Sequence, residues 1–172
     1  MSDEQTIHLA AELGDVEALH ALAALPNADV NARDEDQWTA LEMAAAFGHA
    51  EAINALVALG ADVNAYDEDA GWTALHRAAK NGNANAVSAL LVLGADVSLI
   101  TSSGERTPLH MAAQVGSADA INALASRAGL DANVKDANGE TPLHLATQNG
   151  DLDAINALVA LKADVNACNL AH

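Results

Sequence analysis

Apolar and polar residues fall in blocks along this chain, and the blocks return every 34 positions. Leu41, Leu75, Leu109 and Leu143 mark the period, and Ile7 continues it backwards. Gly14, Gly48, Gly82, Gly116 and Gly150 keep the same spacing, each closing an alanine-rich block. A second apolar block follows each glycine: VEALHAL, AEAINALVAL, ANAVSALLVL, ADAINALASR and LDAINALVAL. Each of these gives way to a polar stretch: ADVNA at 28–32, 61–65 and 163–167, ADVSL at 95–99, and LDANV at 130–134. Self-similarity at such a period is the mark of a stacked array. Each unit reads as two short helices followed by a non-helical excursion.

Local signals place the helix ends. Thr39, Thr73, Thr107 and Thr141 stand where a hydroxyl can accept from an unpaired first-turn amide. Pro108 and Pro142 follow as first helical residues, where no amide hydrogen is missed. In Thr39-Ala40-Leu41-Glu42 the glutamate is placed to complete a capping box, and Ser2-Asp3-Glu4-Gln5 reads the same way at the N-terminus. The recurring glycine suits a left-handed helix end. Helices of roughly 8–10 residues do not persist alone in water, so neighbours must hold them. The columns Ala44-Ala45, Ala78-Ala79 and Ala112-Ala113 let those neighbours approach closely.

A 34-residue period also suits tetratricopeptide repeats, but ADVNA and DEDAGW break helicity and read as extended, hairpin-like loops. TPLHMAAQVG (107–116), TPLHLATQNG (141–150) and GADVNA (60–65) resemble the ankyrin repeat, and the resemblance spans about residues 5–167. It implies an all-α repeat solenoid of stacked helix-turn-helix pairs with β-hairpin finger loops. The expected organisation is one domain, with repeats at about 1–33, 34–66, 67–100, 101–135 and 136–172. The family's unit is usually 33 residues, and each spacing here carries one more. The extra residue falls in the finger in YDEDAGW and ITSSGER, and after the second helix in LPNAD and RAGLD. Ala40 and Ala74 replace the family's proline, and Glu42 replaces its histidine.

Composition adds a partner preference. Hydrophobic residues make up 51% of the chain, yet the aromatics are only Trp38, Phe47, Tyr66 and Trp72. The net charge is −17, and residues 1–69 hold 15 of the 24 acids with a single base, Arg33. Such a field repels phosphate, so nucleic acid and anionic membranes are poor partners and a basic protein surface is a good one. No apolar run is long enough to span a membrane. The N-terminus lacks a signal peptide's basic and apolar regions, which reads as cytoplasmic, although delivery as a secreted effector fits the same sequence.

Catalytic and metal chemistry find no purchase. His76, His110 and His144 share one repeat position, so they cannot converge on one ion; by the resemblance they are structural hydrogen-bonders, as is His8. His20, His49 and His172 read as surface residues. Asp34-Glu35-Asp36 and Asp67-Glu68-Asp69 do not continue as a calcium loop and read as solvated finger tips. No phosphate loop or nucleophile elbow is present, and Cys168 is a lone thiol. No enzyme activity, cofactor or metal is expected.

By resemblance, partners are bound through finger tips and the ends of the first helices, on a concave face. Carried onto this sequence, the binding positions in the second repeat are Glu35, Asp36, Trp38 and Phe47. The third repeat contributes Glu68, Asp69, Trp72, Lys80 and Asn81, and the fourth Arg106, Gln114 and Val115. Aromatics ringed by carboxylates make repeats two and three the expected site for a basic protein segment. The alternatives are a targeting or regulatory ankyrin segment of a larger enzyme, channel or effector, and an acidic structural spacer. The array is expected to be a monomer. Its last repeat looks internal, which suggests a longer parent or an end that docks.

Overall fold

The computed structural model describes residues 3–127 and 129–170, apart from the side chains of residues 3–5. Ten helices form five pairs among these residues: α1 (Asp3–Leu13) with α2 (Val16–Ala23), α3 (Ala40–Phe47) with α4 (Ala50–Ala58), α5 (Ala74–Lys80) with α6 (Ala84–Val92), α7 (Pro108–Gln114) with α8 (Ala118–Ala125), and α9 (Pro142–Asn149) with α10 (Leu152–Ala160). First helices pack on first helices and second on second, giving two layers along the stack. Between the layers lies a core of small and branched residues. Ala44, Ala45, Ala78, Ala79, Ala112 and Ala113 are fully buried, as are Ile53, Leu56, Val87, Leu90, Ile121 and Leu124. Among the described residues no Phe, Tyr or Trp is fully buried here, and the alanine columns let helices of a few turns lie close enough to support one another.

The threonine caps form as the sequence predicts. Thr39 Oγ1 accepts from the Glu42 amide at 3.2 Å. In the later repeats His76, His110 and His144 at N3 close a capping box with Thr73, Thr107 and Thr141. Glu42 does not: its carboxylate turns away to two arginines, so the expected box at Thr39 is only half made. The expected Ser2 box lies outside the described residues. Gly14, Gly48, Gly82 and Gly116 hold φ between 70° and 83°. At Gly14 and Gly116 an added side chain would also crowd its neighbour. A Cβ on Gly14 would stand 2.8 Å from the His49 ring, and one on Gly116 2.9 Å from Asp151. His49 is therefore no surface residue; its Nε2 is bonded to the Glu12 carbonyl of the preceding helix pair at 2.8 Å.

A backbone bond closes the base of each finger: Asp34 N to Trp38 O (2.9 Å), Asp67 N to Trp72 O (3.1 Å), Thr101 N to Arg106 O (3.0 Å) and Asp136 N to Glu140 O (2.9 Å). The loop is one residue longer in the second and third of these, matching the insertions read from the sequence. The fingers are hairpins held by isolated antiparallel bridges, Arg33 with Thr39 and Tyr66 with Thr73, and no longer ladder forms among the described residues. Neighbouring fingers are tied by Ser102 N to Ala70 O (2.8 Å) and Ala137 N to Gly104 O (2.9 Å). Leu170 N bonds to Asn138 O at 3.2 Å in the same manner, so residues 168–170 lie along the last finger as a further finger would.

Candidate protein-binding surface

The acidic triplets divide by position. The first acid of each is structural, which corrects the reading of all three as solvated. Asp34 Oδ1 accepts from the amides of Asp36 (3.0 Å) and Trp38 (2.9 Å). Asp67 is buried and accepts from the Ala70 and Trp72 amides. These bonds fix the loop and turn the remaining acids outward: Glu35, Asp36, Glu68 and Asp69 are exposed.

Behind the tips lies an aromatic stack. The Arg77 guanidinium carbon sits 3.7 Å from the centroid of the Trp38 ring and 4.7 Å from that of Trp72. The two indoles thus enclose an arginine from the chain's own third inner helix. Glu42 holds that arginine from below: its Oε2 is 3.2 Å from Arg77 Nε and its Oε1 is 3.3 Å from Arg33 Nη1. Asp67 adds a contact to Arg77 Nη2 at 3.8 Å. Arg33 in turn donates to the Tyr66 carbonyl at 2.7 Å, crossing to the next finger.

Glu42 is only 1% exposed. Burial raises its carboxyl above the ordinary range, and the opposing pull of Arg77 and Arg33 does not fully compensate. At this position the other repeats carry His8, His76, His110 and His144. His8 Nε2 lies 2.9 Å from Trp38 O, His76 Nε2 3.0 Å from Arg106 O, and His110 Nε2 3.1 Å from Glu140 O. Each of these rings reaches the next finger. In repeat two Glu42 stands in place of the histidine, with a buried ion network in place of that bond.

The remaining expected site residues are spread along the array. Phe47 and Val115, at the ends of inner helices, are exposed hydrophobics, and Lys80 and Asn81 are exposed beside Arg77. Arg106 is not free to meet a partner with its whole charge, because Asp136 holds its Nε at 3.0 Å and Gln114 its Nη1 at 3.2 Å. Trp38, Trp72, Arg106 and Gln114 are half-buried. The sequence reading omitted Arg33, Glu42 and Arg77, which organise the stack. It also omitted Tyr66 and Ile100, exposed hydrophobics at 57% and 47% that border a cleft of about 350 Å³ with Gly71 and Ser102. Arg77 did carry a signal, since the same place in the other inner helices holds Leu9, Met43, Met111 and Leu145.

The buried histidines are bonded on both sides. His76 Nδ1 accepts from the Thr73 amide at 3.3 Å, which leaves Nε2–H to donate to the Arg106 carbonyl. Burial lowers His76 to about 4 and lowers His110 as well, so both are neutral at pH 7. Among the described residues no three His, Cys, Asp or Glu side chains converge as metal ligands would. No described helix is long and apolar enough to cross a membrane.

The family model for ankyrin repeats, three copies long, matches residues 7–101 and again 91–169. No curated protein matches the chain. Ankyrin repeats are generally protein–protein interaction modules and typically non-catalytic. With the threonine–histidine caps, the left-handed glycines and the paired-helix stack in place, the chain belongs to the ankyrin repeat family.

Proposed function

We propose that this chain is a non-catalytic binding module that takes a basic protein segment on the finger and inner-helix surface of repeats two and three. The observation that carries this reading is the placement of four exposed carboxylates, Glu35, Asp36, Glu68 and Asp69, on two adjacent fingers whose loops are fixed by Asp34 and Asp67. Fixed charges cost little entropy to present and raise the association rate with a basic partner. Phe47, 52% exposed at the end of α3, supplies an apolar contact on the same repeat. The Trp38 and Trp72 rings, with Arg77 against both, lie behind the two fingers that carry these acids.

The test is titration calorimetry with a Lys/Arg-rich peptide at low and moderate salt. Binding should weaken steeply with salt, and it should be lost when Glu35, Asp36, Glu68 and Asp69 are changed together to Gln or Asn. A fourfold variant that stays folded and binds with unchanged affinity would refute the reading.

A further inference from the structure

We propose that the slot between Trp38 and Trp72 is a guanidinium-recognition site, occupied in this state by Arg77, and that an arginine of the partner binds by taking Arg77's place. This rests on the reading that a basic segment binds repeats two and three, and it names the side chain that segment must carry.

The slot has the chemistry that selects a guanidinium over other cations. Two indole faces stand 3.7 Å and 4.7 Å from the guanidinium carbon, so a flat cation can stack on both. Carboxylates at its edge meet the N–H fork: Glu42 at 3.2 Å from Nε and Asp67 at 3.8 Å from Nη2. An ammonium is a compact, strongly hydrated point charge without the planar fork, so it stacks on the two rings and pairs with the carboxylates less completely. A bound guanidinium is seen there, and it comes from the chain itself.

Three observations point to an exchangeable occupant rather than a permanent brace. Arg77 projects from α5 and keeps 16% of its side chain in solvent, so it is not sealed within the core. Its departure leaves Glu42 paired with Arg33, which holds the other carboxylate oxygen at 3.3 Å, and leaves Asp67 bonded to the Ala70 and Trp72 amides. The exposed acids Glu35, Asp36, Glu68 and Asp69 stand on the two fingers that carry the indoles, where an incoming basic segment would collect. A tethered competitor acts at an effective concentration on the order of millimolar, so Arg77 masks the slot against all but a segment held by further contacts.

The experiment compares wild type with Arg77→Met, which keeps the apolar stem, and Arg77→Lys, which keeps the charge. Each is titrated with an Arg-rich peptide and with a Lys-rich peptide of equal length and charge. Retained helical circular dichroism and a cooperative melt establish that at least one variant is folded. The proposal requires the folded variant to bind the Arg peptide at least tenfold more tightly than wild type, with a much smaller gain for the Lys peptide. An equal gain for both peptides would show charge alone at work, and an unchanged or weakened Arg affinity would make Arg77 a fixed part of the stack; either overturns the proposal. Wild type that binds neither peptide, alongside a variant that binds Arg selectively, sustains the slot and counts against the wider binding reading.

Discussion

Arg77 stacks on Trp38 across a repeat boundary, its guanidinium carbon 3.7 Å from the ring centroid. That contact, mirrored at 4.7 Å by Trp72, accounts for the chain's only two tryptophans standing in equivalent places on adjacent fingers. It joins the Asp34–Trp38 finger to α5 at the junction where repeat two lacks the histidine that His76 and His110 supply to later ones.

Replacing Arg77 should therefore weaken the junction. Cation–π contacts contribute about 0.5–2 kcal/mol each, depending on burial. Arg77→Met is expected to lower unfolding free energy by about 1–3 kcal/mol in chemical denaturation, while both tryptophans, the only ones present, report the change in emission.

Glu42→Gln should behave unlike the removal of a stabilising ion pair. Its carboxyl is raised by burial despite two arginines, so the ionised form is the costly one. A raised group contributes stability that is complete below its unfolded value of 4.5 and is lost as pH rises through the folded value. Wild type should thus gain on Glu42→Gln as pH falls from neutral toward 4.5, and at pH 7 the variant should lie within about 1 kcal/mol of wild type. Denaturant melts of both proteins across that range supply the comparison.

His76 works in the opposite sense. Its value is lowered from 6.5 to about 4, so the stability it supports is complete above 6.5 and is lost as pH falls toward 4. At about 1.4 kcal/mol per unit the loss is about 3 kcal/mol. His76→Gln should start less stable at pH 7 and show a visibly flatter acid limb in thermal melts.

Gln37 occupies the left-handed region at φ 64°, where the equivalent finger residues Gly71 and Gly139 have φ 69° and 71°. Gln37→Gly relieves a conformation costing roughly 1–2 kcal/mol for a residue with a Cβ, partly offset by chain entropy. A net gain of about 0.5–1 kcal/mol is expected, with peptide binding unchanged.

Much of this architecture was legible because its signals are local. A threonine capping its own helix, or a glycine at a left-handed end, depends on residues a few positions away. The misread residues are those decided at long range. Glu42 has the spacing of a capping box, but Arg33 and Arg77, 9 and 35 residues distant, hold its carboxylate instead. DEDQW and DEDAGW each present alike acids, and only the closed loop shows that the first turns inward to its amides. His49 reads as a surface residue until its ring is brought to the Glu12 carbonyl. The tryptophans were visible as a pair, but their shared arginine was not, because stacking on both requires the third repeat to dock on the second.

The most direct test of the account is the side-chain NMR signal of Arg77 in the free protein. Seated between two indoles, its Nε–H and δ protons should resonate well upfield of those of Arg33, Arg106 and Arg127, with cross-peaks to both tryptophan rings. Signals at ordinary arginine positions, with no contact to either ring, would contradict it.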